Sequence, residues 1–110
     1  MTDDAAKAHF EYLPADDRGP ATVWASGEID LTNVGRFQAA LEAAAAAAAA
    51  ADVSVDLTAV AYCDSATIRA LIATAGQARL TIRVGTTGSV TETLLKVSGV
   101  DQVATVVTLD

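Results

Sequence analysis

The chain has 110 residues, 52% of them hydrophobic, and a formal net charge of −7 at pH 7. That length suits a single domain over residues 1–110, with its core between about 9 and 108. The acidic balance, with no cluster of Lys and Arg to offset it, repels phosphate backbones and excludes nucleic acid as a partner.

Cys63 is the one cysteine, so no intramolecular disulfide is possible and a reducing compartment fits. The N-terminus, Met1-Thr2-Asp3-Asp4, lacks the basic-then-apolar pattern of a secretory signal. The longest apolar run, the alanine tract at 43–51, is too short to span a bilayer. The expectation is a cytoplasmic protein with no membrane insertion.

In chain order, residues 9–13 alternate apolar and polar and stop at Pro14, predicting a first strand. Residues 15–20 carry the Asp and Gly of a turn, and 21–29 read as a second strand, making a hairpin. After Asp30 the period changes. Val34, Phe37 and Leu41 recur at helical spacing, and the alanines extend that helix to about residue 51. Thr32 or Asn33 is a candidate N-cap. A short strand at 53–57 leads through residues 58–63 into a second helix with Ile68, Leu71, Ile72 and Ala75 on one face. Residues 80–84 form the next strand. A Gly-rich loop at 85–88 and a Ser89–Glu92 capping box open a third helix, with Val90, Leu94, Leu95 and Val97 as its apolar face. A strand at 103–107 closes the order β-β-α-β-α-β-α-β. Strands joined through helices run parallel with right-handed crossovers.

Sites for catalysis are sparse. One His and one Cys cannot build a metal centre, and no cofactor fingerprint is present. Ser65 follows a strand and opens a helix like a nucleophile, but it lacks flanking glycines, and His9 is the only neutral-pH base. A small serine hydrolase is therefore the weakest reading. Cys63 lies beside Asp64, which raises a thiol pKa rather than lowering it. The loop at 85–89 has the form of an anion site but contains no Lys. Asp64 and Ser65 can each cap the second helix. A serine hydroxyl in that position also suits a covalent switch, because the helix dipole tolerates an added phosphate.

Four segments in order carry a family resemblance: Gly27-Glu28-Ile29-Asp30 after a strand, Asp56-Leu57-Thr58, Asp64-Ser65 with Ile68-Arg69-Ala70-Leu71, and residues 94–100. Together they resemble the STAS domain, and among its types the bacterial anti-sigma factor antagonist. The resemblance implies an α/β fold with a mixed, mostly parallel sheet and helices on one face. It implies a non-enzymatic protein that binds an anti-sigma factor serine kinase. Phosphorylation of the serine at the start of the second helix, here Ser65, ends that binding, and a serine phosphatase resets it. The family's Asp-Ser-Ser-Gly-Leu is met here by Asp64-Ser65-Ala66-Thr67-Ile68, which makes Thr67 a competing acceptor. The expected docking face comprises Glu28, Asp30, Asp64, Ser65, Ala66, Thr67, Ile68 and Arg69. An alternative within the family is a constitutive accessory subunit of an ABC lipid-transport or sensory complex.

Overall fold

The computed structural model describes residues 7–48 and 52–109. Among them, five strands form one sheet in the order β1-β2-β3-β4-β5. These are β1 (Ala8–Leu13), β2 (Ala21–Ile29), β3 (Asp52–Cys63), β4 (Arg79–Arg83) and β5 (Thr105–Val107). The helices are α1 (Val34–Ala48), α2 (Ser65–Ala75) and α3 (Val90–Val97), and a 3-10 turn at Val100–Gln102 precedes β5. The predicted helix end near residue 51 lies outside the described residues.

β1 is antiparallel to β2, and the other three pairings are parallel. Each helix moves the chain one strand sideways in the same direction, so right-handed crossovers put all three on one face. Burial follows: Ala21, Val23 and Ala25 of β2 are buried, while Thr22, Trp24 and Ser26 turn to the uncovered face. Phe37 and Leu41 of α1 are completely buried, and Ala44 and Ala45 continue that face with methyl groups. The ring of Phe37 lies 5.7 Å from that of Phe10 on β1, and the Arg36 guanidinium sits 5.2 Å over Phe10.

β3 departs from expectation. Residues 58–63, predicted as a lead-in to the helix, continue the strand, giving it twelve residues. Two irregularities explain why alternation fails as a guide. Trp24 faces Asp56 but Ser26 faces Ala59, and Gly27 faces Val60 but Glu28 faces Tyr62, so β3 gains a residue twice. Buried positions accordingly run Val53, Val55, Leu57, then Val60 and Cys63. Asp56 Oδ1 supports the first irregularity by accepting from the Thr58 amide at 2.9 Å and its hydroxyl at 2.6 Å. β4 pairs with β3 only over Asp52–Asp56, so the distal part of β3 projects beyond it.

α3 is also corrected. Its predicted apolar face was Val90, Leu94, Leu95 and Val97, yet only Leu95 is fully buried. Leu94 is half-buried, and Val90 and Val97 are 63% and 80% exposed. Thr91 and Glu92 point inward instead. The cap sets this phase. Ser89 Oγ accepts from the Glu92 amide at 3.2 Å, and Glu92 Oε1 accepts from the Gly88 amide at 3.0 Å, folding the carboxylate back over the loop. Lys96 compensates its charge from one turn on, at 3.1 Å.

The end of β2, which carries the candidate site, is locked by three devices. Gly27 has φ +88°, and a Cβ there would stand 2.1 Å from the Lys7 carbonyl oxygen. Asn33 is buried and reaches backward rather than capping α1. Its Nδ2 donates to the Glu28 carbonyl at 2.9 Å, and its Oδ1 accepts from the Asp30 amide at 3.0 Å. Asp30 accepts from Lys7 Nζ and from the Thr32 amide and hydroxyl. Its carbonyl takes the Asn33 and Val34 amides that begin α1.

Gly27→Ala is expected to cost at least about 2 kcal/mol, combining the left-handed φ with a backbone clash. A thermal melt then shows a drop of at least ~8 °C. Gly35→Ala, where nothing lies within 4 Å of the added methyl, should instead hold or raise the melting temperature.

The hydrogen bond from Lys7, then that from the Thr32 hydroxyl, holds the Asp30 carboxyl down from its ordinary 3.8 to about 2. A depressed carboxyl pKa stabilises the fold above the unfolded value and loses that contribution as pH falls towards the folded one. Stability should therefore decline between pH 3.8 and about 2 as Asp30 is protonated. Lys7→Met should flatten this part of the acid-unfolding profile, measured by circular dichroism.

Candidate partner-docking site

In a parallel sheet the C-terminal ends of neighbouring strands emerge together. Glu28 pairs with Tyr62 and Ile29 with Cys63, so the loop after β2 and the start of α2 lie side by side. Both segments expected to form the docking face thus come to one end of the molecule.

Asp64 is the N-cap of α2. Its backbone is extended (φ −120°, ψ −170°), and its Oδ1 accepts from the Ala66 amide at 3.0 Å. The Asp64 carbonyl accepts from the Thr67 and Ile68 amides. Capping by Asp64 leaves Ser65 free for another role. Ser65 is exposed at the first helical position, and no hydrogen bond engages its hydroxyl among the described residues. Arg69, four residues on, is exposed on the same side of the helix.

The rest of that motif turns inward. Ala66, Thr67 and Ile68 are buried, with Thr67 at 0% exposure and its Oγ1 without a hydrogen-bond partner among the described residues. Their side chains pack α2 onto the sheet, and Asp64, Ser65 and Arg69 are the members of the motif left accessible. Thr67 Oγ1 is closed to a kinase acting on the folded chain. Cys63, just before the cap, is also buried. Burial and then the Asp64 charge push its thiol up to about 11, against the opposing effect of a hydrogen bond with Thr91 of α3. It stays a thiol at neutral pH.

Across the gap, Glu28 is exposed whereas Asp30 is committed to Lys7 and Thr32. Asp30, expected in the docking face, is therefore first an anchor of the loop, and substituting it would unlock β2 and α1. Two apolar residues of the same chain segments are also exposed: Leu31 at 74% and Tyr62 at 47%. Sequence reasoning passed over both. Leu31 is a lone apolar residue in a polar turn, and Tyr62 fell in the segment read only as a lead-in to the second helix. An apolar side chain between a strand and a helix cap, with no periodic partner, was the available signal.

The other candidates do not come together as a reactive site. His9 Nε2 meets Glu11 Oε2 at 3.0 Å, and its ring packs edge-on to Trp24, on the sheet face opposite the helices. No hydrogen bond joins Ser65 Oγ to a base among the described residues, and the neighbouring Asp64 carboxylate is spent on the Ala66 amide. The Gly88 amide of the loop at 85–89 is taken by Glu92, so this donor is closed to an external anion. No group of three metal-ligating side chains is present among the described residues, and no described helix is long and apolar enough to cross a membrane.

No curated protein matches this chain. Among solved structures, an anti-sigma factor antagonist from Mycobacterium paratuberculosis superposes with a TM-score of 0.76. The match covers 90% of this chain and 86% of that one, at 24% identity, and establishes a shared fold. The family model described as "Mlab, STAS domain" matches residues 14–108. That span takes in β2 to β5, all three crossovers and both segments of the candidate docking end, and the chain belongs to the STAS domain family.

Proposed function

We propose that this protein is an anti-sigma factor antagonist that binds an anti-sigma factor serine kinase and is released by phosphorylation of Ser65. The observation that carries this reading is the exposed, uncommitted Ser65 hydroxyl at the start of α2, beside a cap supplied by Asp64. Glu28, Asp64, Leu31 and Tyr62 surround it with the mixture of charge and apolar surface that a protein partner needs.

The mechanism follows from position. A kinase transfers the γ-phosphoryl of ATP to Ser65 Oγ, whose proton leaves to a base on the kinase, and ADP departs. The new phosphate meets the positive end of the α2 dipole and stands one turn from the Arg69 guanidinium, so the fold tolerates it. A partner shaped for a neutral hydroxyl next to Asp64 must instead desolvate about two further negative charges. Hydrolysis by a serine phosphatase restores the binding form.

A second reading, a constitutive accessory subunit of an ABC lipid-transport complex, draws support from the family description. It also draws support from Ala66 and Thr67, which stand where the phosphorylated type has Ser and Gly. Under that reading Ser65 remains unmodified and the complex does not switch.

Ser65→Asp should weaken binding of the anti-sigma factor by roughly two orders of magnitude, a loss of about 2.7 kcal/mol. Its melting temperature should stay within ~2 °C of wild type. Ser65→Ala should bind well and accept no phosphate. Thr67→Val should keep phosphorylation on Ser65 and raise the melting temperature, because a buried hydroxyl without a partner costs about 1–3 kcal/mol. Titration calorimetry and phosphosite mapping after incubation with kinase and ATP check each outcome. Chain isolated from cells with Ser65 unmodified, bound to an ATPase subunit, would establish the second reading instead.

A further inference from the structure

The outward side of α3 is unusual for a helix on a core. Val90, Leu94 and Val97 recur at i, i+4 and i+7, the spacing of a buried stripe, yet they line a shallow groove of about 380 Å³ with Gly88 and Thr93. Polar Thr91 and Glu92 take the inward positions instead.

The stripe is not remote from the docking end. β4 stops pairing with β3 at Asp56, and α3 packs against β3. Thr91, in the first turn of α3, lies close enough to Cys63 at the end of β3 to act on its thiol, and Cys63 precedes Ser65 by two residues in the chain. Val90 adjoins Thr91 in the chain, and Val97 lies about 10 Å farther along the helix.

We propose that the Val90–Leu94–Val97 stripe is a second contact zone of the docking site, covered by the same anti-sigma factor that engages Ser65. This inference rests on the reading given under Proposed function. Area favours that occupant over a second copy of the chain. Three aliphatic side chains present on the order of a few hundred Å² at most, whereas a stable interface takes about 800 Å² from each partner. The stripe becomes sufficient only when joined to Leu31, Tyr62 and the Ser65 turn. Charge agrees with this arrangement. Lys96 beside the stripe is already paired with Glu92, while Glu28 and Asp64 make the adjoining end acidic. The partner surface that fits is an apolar patch bordered by basic side chains.

The test places a photoreactive benzoylphenylalanine at Val97 or at Leu31 of the full chain in its own cells, and mass spectrometry identifies the cross-linked products. The same anti-sigma factor captured from both positions, with both yields falling at least tenfold in Ser65→Asp, supports the proposal. Capture from Leu31 but not from Val97 overturns it and leaves the antagonist reading standing. A Val97 product joining two copies of this chain also overturns it, since the stripe is then a self-association surface. No anti-sigma factor from either position removes the antagonist reading and this extension together. In an independent measurement, Val90→Asp with Val97→Asp should lower affinity for the captured factor at least tenfold without shifting the melting temperature. Unchanged affinity would refute the contact zone.

Discussion

The unequal length of β3 and its neighbours is the constraint from which the rest of the molecule follows. Twelve residues of β3 run alongside nine of β2 but are matched by only five of β4. On the β2 side, two extra residues bring the strands back into register and re-aim Val60 and Cys63 at the core. On the β4 side the projecting segment has no strand partner, and α3 packs against β3. The start of α2 therefore stands at an end of the sheet built from β2, β3 and α3 together.

Rigidity at that end comes from short-range polar bonds more than from area burial. Asn33, Asp30 and Asp64 each spend a side chain on backbone groups within a few residues. Each bond contributes about 1 kcal/mol net. Their larger effect is to hold exposed side chains in fixed positions. Preorganised groups lose less entropy on binding, so a small face can still bind tightly. Ser65 benefits most, because Asp64 satisfies the helix terminus and leaves the serine hydroxyl uncommitted.

The same geometry gives the buried and exposed members of the Asp64–Arg69 motif different roles. Thr67 offers a hydroxyl but keeps it in the core, where it is an unmet polar group rather than an acceptor for phosphate. Ser65 and Arg69 share the outer side of the helix, so under the proposed reading Arg69 stands where it can balance a phosphate on Ser65.

Much of this was legible in the residues. Alternation in β1 and β2, the switch to helical spacing after Asp30, the Ser89–Glu92 cap and the parallel crossover order are local patterns, and local sterics and hydrogen bonding enforce them. They brought Glu28, Asp64 and Ser65 to one end of the sheet through strand order alone. Other features depended on tertiary contacts. The continuation of β3 through residues 58–63 required its pairing with β2, since its inserted residues erase the alternation that marks a strand. The orientation of α3 was ambiguous, because Val90, Leu94 and Val97 form as good an apolar stripe as the side that carries Leu95. Only the folded Glu92 carboxylate and the Ser89 cap chose between them. The burial of Thr67 and the exposure of Leu31 and Tyr62 were likewise decided by which surfaces the sheet and helices cover, and a residue's own chemistry does not encode that.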